Sequence, residues 1–244
     1  MIVLFTDFGL EGPYVGQMKA LLCRQAPGVP VIDLMHDAPA FAIEESAHLL
    51  AALIGGFKEQ TVFLCVVDPG VGTTGREPAL LHADGRNFVG PDNGLLDVVA
   101  GRAKSADLRH IQWRPHNLSA SFHGRDIFAP IAARIATHET VATSDANDGG
   151  RFASNRHDLA RVIYIDRFGN AVTGLRAALL AADREITVGA YHITHATTFG
   201  DVPVGKAFWY ENSIGLVEIA VNQGSAHGVL DLEIGTLIAV DGAS

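Results

Sequence analysis

Four short apolar runs in this chain stop at a carboxylate. Thr61 to Val67 runs into Asp68, followed by the turn Pro69-Gly70-Val71-Gly72 and then Arg76. Ile2 to Phe5 runs into Thr6-Asp7-Phe8-Gly9, Val29 to Leu34 into Met35-His36-Asp37, and Arg161 to Ile165 into Asp166-Arg167-Phe168-Gly169-Asn170. Each run is β-branched or aromatic and bounded by turn residues, which reads as a strand. Ligands of open α/β sheets bind beyond the carboxyl ends of strands, so the repeated ending points to a shared cleft. Pro69 biases Asp68 towards an extended conformation, and Gly70 and Gly72 let the backbone turn tightly beside a ligand. The plainer reading of any one such Asp is a cap on neighbouring amides.

His123, in Phe122-His123-Gly124-Arg125-Asp126, precedes a helical pattern. The positive end of a helix dipole favours a neutral imidazole, which can take a proton or orient a water molecule. Aromatics beside Asn and Ser suit a flat heterocycle, offering faces to stack on and donors for its edge. Phe168, flanked by Asp166 and Asn170, fits that description, as do Phe199 and the stretch Trp209-Tyr210-Glu211-Asn212-Ser213, although Trp209 itself reads as core. No metal site is expected. His192 and His195 fall on a strand-like stretch where i, i+3 side chains face opposite ways, His36-Asp37 is a bare pair, and no HExxH or calcium loop occurs. The Gly70 to Gly75 turn lacks the ending of a phosphate loop, and GxSxG is absent.

The elements that must position these groups fall into two regions. Up to about Ala136, strands alternate with helical patterns at Gly16 to Gln25, Glu44 to Leu53 and Gly124 to Ile135, predicting an α/β layer on a largely parallel sheet. Thr137 to Asp158 is polar and glycine-containing and reads as a linker. Strand-like runs follow at Glu185 to Val188, Tyr191 to Thr194, Leu216 to Val221 and Leu237 to Val240. The expected domains are residues 1–150, α/β and catalytic, and 151–244, smaller and β-rich. The 244 residues, nearly half of them apolar, suffice for a sizeable core. A net charge of −9 without a basic block argues against a nucleic-acid partner. No apolar stretch approaches the ~20 residues that span a bilayer, and no signal peptide is visible. Cys23 and Cys65 form no CxxC pair and read as buried reduced thiols of a cytoplasmic protein.

Taken together, these segments resemble the S-adenosyl-L-methionine hydroxide adenosyltransferases, the hydrolase branch of the superfamily that includes fluorinase and chlorinase. The matching stretches are Thr6-Asp7-Phe8-Gly9 with Tyr14 to Lys19, Val67 to Gly72, Phe122 to Asp126, Ile165 to Asn170 and Asn212 to Asn222. They span nearly the whole chain in the family's order. The resemblance implies a carboxyl-terminal β-barrel-like domain and a homotrimer. Its substrate would sit between the first domain of one subunit and the second domain of its neighbour. It also implies a reaction without cofactor, in which S-adenosyl-L-methionine and water give adenosine and methionine. Asp68, Arg76 and His123 would serve the water, Asp7 the ribose hydroxyls, and Phe168 and Phe199 the adenine. Asn170, Ser213 and Glu218 would contact adenine or the methionine end, and Phe8 and Asp166 would also bind substrate. The family's arginine usually falls one residue earlier, where this chain has Gly75, so Arg76 is taken for the role with Arg125 in reserve. Ile214 stands where the halogenating branch tends to carry an arginine, which favours water over halide. Three rivals remain: a non-catalytic S-adenosyl-L-methionine or adenosine binding protein, a halide-using transferase, and a metal-dependent hydrolase built on Asp7, Asp33, Asp68 and His36.

Overall fold

In the computed structural model, which describes residues 1–73, 76–146 and 149–240, two of the four apolar runs, Ile2 to Phe5 and Thr61 to Val67, lie in the middle of one sheet. The chain divides into two units, Met1–Leu50 with Gly56–Arg156, and Ala51–Gly55 with His157–Ser244. The first unit follows the order β1 (Ile2–Thr6), α1 (Tyr14–Gln25), β2 (Val31–Met35), α2 (Ile43–Leu53, whose last residues group with the second unit), β3 (Val62–Val66), β4 (Pro78–Ala83) and β5 (Arg86–Pro91). Then come α3 (Asp97–Arg102), β6 (Ala106–Ile111), a π-helical turn at Gly124–Phe128 running straight into α4 (Ala129–Ala136), β7 (Thr143–Asp145) and α5 (Arg151–Ser154).

Its seven strands lie in the order β2-β1-β3-β5-β4-β6-β7. The first four are mutually parallel, β4 reverses on β5, and β6 reverses again on β4, so five of the seven share one direction. Strands β1 and β3 are buried along their whole length, as expected of strands covered on both faces, whereas β2 at the edge is partly exposed. From β1 the chain leaves through α1 to β2 on one side, and β3 lies on the other side. Adjacent strands whose connections depart in opposite directions open a crevice at their carboxyl ends. Asp7 follows β1 and Asp68 lies just beyond β3, so both stand at that switch point.

The segment read as a linker is partly ordered in the sheet. β7 pairs with β6, and α5 packs on α3. Its sequence, Thr143-Ser144-Asp145, gives no apolar signal because this three-residue edge strand is held by backbone pairing with β6 and by polar side-chain bonds, Gln112 to Ser144 at 2.8 Å and Arg109 to Asp145. Cys23, expected to be buried, is exposed on α1, while Cys65 is fully buried in β3.

The second unit contains β8 (Leu159–Ile165), β9 (Ala171–Arg176), β10 (Ile186–Val188), β11 (Tyr191–Ile193), β12 (Ala207–Glu211), β13 (Leu216–Val221), α6 (Ala226–Leu230) and β14 (Ala239–Val240). Four strands form one sheet, β12-β13-β9-β8, and three another, β11-β10-β14. Bridges join both pairs of edges, Arg161 with Leu237 and His195 with Trp209. The ring of seven strands therefore closes as a small barrel around a core that includes Val162, Ile186, Trp209, Val217 and Ile219.

Candidate functional site

A cavity of about 200 Å³ opens at the switch point of the first unit, lined by Asp7, Phe8, Tyr14, Asp68, Phe122 and His123 among others. The Asp68 side chain is only 7% exposed, and its Oδ1 accepts from the Gly70 amide at 3.3 Å and from Arg76 Nη1 at 3.0 Å. A Cβ on Gly70 would run into the Arg76 guanidinium, and one on Gly72 (φ +79°) into the carbonyl of Ala120. Both glycines are thus required by close approach, the first for the ion pair and the second for docking the loop. Asn93 donates to the carbonyl of Val67 at 2.9 Å and fixes the end of β3 just before Asp68. Arg76 and His123 also share a narrow extension of the cavity with Asp68.

Burial holds the Asp7 carboxyl above its usual range and the nearby Asp68 charge adds to the rise, against backbone hydrogen bonds including one from Phe41. A carboxyl held partly out of water beside a second negative charge is an arrangement common where chemistry or tight binding occurs. His123 immediately precedes the π-helical turn. Pro130 supplies the reason for that turn: it has no amide to donate to the carbonyl of Asp126 and its ring crowds that carbonyl, so the ladder widens. Gly124 lets this helix start approach Phe8 and Met18, which a Cβ would meet at 3.3 and 3.4 Å. Rings of Phe8, Tyr14 and Phe122 meet with centroids 5.3 to 5.8 Å apart and wall the cavity. Arg125 is engaged elsewhere, donating to Asp126 at 2.6 Å and to Gln17 at 2.9 Å, with its guanidinium over Phe122. Its bond to Asp126, ahead of the partial burial that opposes it, holds that carboxyl below its usual range.

The second unit carries a larger cavity of about 730 Å³, lined by Asp166, Phe168, Asn170, Phe199, Tyr210, Asn212, Ser213 and Glu218 among others. Asp166 organises the turn after β8, its Oδ1 accepting from the amides of Phe168 (2.9 Å) and Asn170 (2.8 Å) and its Oδ2 from the Asn170 side chain (3.1 Å). That turn leaves Phe168 76% exposed at the cavity rim. Glu218, buried in β13, accepts from Tyr210 Oη at 2.5 Å and Asn212 Nδ2 at 2.9 Å. Burial, reinforced by the hydrogen bond to Glu218, pushes the Tyr210 phenol well up. With its only proton committed to Glu218, the Tyr210 oxygen offers lone pairs alone to a ligand. Phe199 stands edge-on to Phe208 and close to Tyr210.

The eleven residues that the resemblance assigns to the site line one of the two cavities or their extension: Asp7, Phe8, Asp68, Arg76 and His123 in the first unit, and Asp166, Phe168, Asn170, Phe199, Ser213 and Glu218 in the second. Gly75 lies outside the described residues. Trp209 is buried in the barrel core, its indole donating to the carbonyl of Arg184. Tyr14, Ser121, Tyr210, Asn212 and Gln223 also line the cavities and were not picked out individually as site residues. Among the described residues, no three His, Cys, Asp or Glu side chains are grouped to hold a metal ion. Of the suggested metal set, Asp33 is instead bonded to Lys19 and His36.

Comparison with known proteins follows the same division. Residues 2–145 match the model of the SAM hydroxide adenosyltransferase N-terminal domain and residues 160–239 that of the C-terminal domain. The chain is 38% identical over 262 residues to an (R)-S-adenosyl-L-methionine hydrolase of Thermus thermophilus, covering 96% of each. It is 36% identical over 250 residues to one of Salinispora arenicola, covering 96% of this chain and 95% of that protein. A crystal structure of an uncharacterized conserved protein from Thermotoga maritima is similar at a TM-score of 0.84 and 34% identity, covering 98% of this chain and 99% of that one. With both domains matched and relatives alike from end to end, the chain belongs to the SAM hydroxide adenosyltransferase family.

Proposed function

We propose that this protein hydrolyses S-adenosyl-L-methionine at C5′, giving adenosine and L-methionine, with the first unit as catalytic domain and the second as adenosine-binding domain. One observation carries the proposal: a buried carboxylate, Asp68, is clamped by Arg76 and shares its cavity with His123 and Asp7 at the sheet's switch point. The sulfonium leaves as a neutral thioether, so the leaving group needs no acid. The protein must instead hold a water molecule in line with the C5′–S bond, at about 3–3.5 Å from the carbon. Asp68 and His123 accept hydrogen bonds from that water and take its proton as the C5′–O bond forms. Arg76 fixes Asp68 and offsets the charge developing on oxygen. Asp7 binds the ribose hydroxyls beside Phe8, Phe168 and Phe199 hold the adenine faces, and Asp166, Asn170, Ser213 and Glu218 shape the surrounding polar wall. The names of the relatives support the (R)-sulfonium epimer as the preferred substrate. Resemblance to the family supports a homotrimer, in which the first unit of one subunit meets the second unit of its neighbour. The exposed free thiol of Cys23 fits a reducing, cytoplasmic setting.

Turnover in ¹⁸O-water, followed by mass spectrometry, tests the route. The label is expected at the 5′ oxygen of adenosine and not in methionine. Unlabelled adenosine, or a 5′-halogenated product in the presence of halide, would overturn it.

A further inference from the structure

Behind Asp7 lies a hydrogen-bonded chain that the proposed chemistry does not use. His36 is buried at the end of β2, with its Nδ1 2.8 Å from Thr6 Oγ1 and its Nε2 3.1 Å from Asp33 Oδ1. Asp33 Oδ2 in turn accepts from Lys19 Nζ at 2.7 Å. Although burial works the other way, these hydrogen bonds and the Lys19 charge hold the Asp33 carboxyl below its usual range. An ionised Asp33 can only accept, so Nε2 carries a proton towards it, and Nδ1 shares the other hydrogen bond with the Thr6 hydroxyl. Thr6 Oγ1 then receives the Phe8 amide at 3.4 Å. The same two residues also clamp the backbone, Gly9 N donating to His36 O at 2.6 Å and Ala38 N to Thr6 O at 3.1 Å.

Thr, His and Asp in this order have the grammar of a nucleophilic triad, but Thr6 is 0% exposed and no substrate atom can reach its oxygen. The arrangement does something else. Asp7 sits between the two residues this chain ties down, Thr6 and Phe8, and its carboxyl is costly to hold out of water. A turn free to relax would swing it towards solvent.

We infer that His36 is a positioning residue, which through Thr6 locks the Thr6-Asp7-Phe8-Gly9 turn so that Asp7 meets a ribose diol. The inference rests on the reading of Asp7 as the ribose ligand. Its test is the preference of the intact protein for adenosine over 2′-deoxyadenosine, measured by titration calorimetry in four variants. A hydrogen bond from the 2′-hydroxyl to a carboxylate gives the unaltered protein a preference of about tenfold or more. Asp7→Ala, which removes the acceptor, abolishes it. Thr6→Val, nearly isosteric and lacking only the hydroxyl, cuts it to roughly a third or less, as a misaligned ligand contact does. His36→Asn, whose Oδ1 can stand in for Nδ1, keeps more of it than His36→Gln, whose amide reaches towards Asp33. A full preference in Thr6→Val, or better retention in His36→Gln than in His36→Asn, overturns the inference while leaving the proposed function intact. A preference that survives Asp7→Ala removes the reading of Asp7, and the inference with it. Thr6→Val decides the matter even if a His36 variant does not fold.

Discussion

Asp68 accepts from a backbone amide and from a guanidinium whose position depends on Gly70 having no side chain. Asp68→Asn is therefore expected to lower kcat by about 10²–10⁴-fold, the usual weight of a positioned acid–base group. Gly70→Ala should reproduce part of that loss by displacing Arg76 without touching any titratable group, which steady-state kinetics on the two variants will check. Asp7 makes the opposite demand on stability. Its carboxyl is raised by burial, so the folded state keeps the proton to higher pH than the unfolded chain does. Stability then falls as pH rises from the usual value of 3.8 through the raised one. Asp7→Asn should abolish that fall and raise the Tm of the ligand-free protein at neutral pH, while weakening adenosine binding. Asp33 and Asp126 are lowered, so what they contribute is present above 3.8 and is lost as acidification passes their depressed values. Asp68 and His123 were legible from sequence because a carboxylate closing an apolar run, or a histidine before a helix, is a local signal. Tyr210 and Asn93 were not, since each acquires its role from a partner on another strand, Glu218 of β13 and the end of β3 respectively.

At the scale of elements, the strands that were easiest to read are those buried on both faces. β1 and β3 are continuous apolar runs, and their places at the switch point follow from topology. β7 escaped because it is three polar residues at an edge, and β9 because Ala171 to Arg176 mixes small residues with Gly174, where a Cβ would meet Leu159 at 2.5 Å. The helix over 124–135 was legible, but not its π-helical first turn, which comes from one proline acting on the carbonyl four residues earlier. Pro130→Ala restores an amide that can donate to that carbonyl and lets the turn tighten to α-helical spacing. Since His123 borders this turn, kcat/KM is expected to fall about tenfold while Tm holds or rises, the pattern of strain kept at a functional site. Kinetics and thermal unfolding on one preparation will check this. A parallel loss of both would mean that Pro130 only supports folding.

For the whole molecule, each unit carries a cavity, one lined by the acids and His123, the other by aromatics and Glu218. If the neighbouring subunit completes the site, two inactive variants should rescue each other. Asp68→Asn and Glu218→Ala, refolded together at equal amounts, would recover roughly a quarter of wild-type activity, because random assembly in a cyclic oligomer pairs two intact halves at that frequency. No recovery would place both halves in one subunit. The sequence turns β-rich after residue 158, close to where the second unit begins, whereas barrel closure leaves no sequence signal, since it depends on isolated bridges such as Arg161 with Leu237. The central claim is hydrolysis by the protein's own side chains, and its most direct test is chromatography of EDTA-treated protein incubated with both sulfonium epimers, with and without halide. The account predicts adenosine and methionine in equal amounts, unaffected by halide or chelation and formed faster from the (R)-epimer. Intact substrate with measurable binding, or activity lost on chelation, would contradict it.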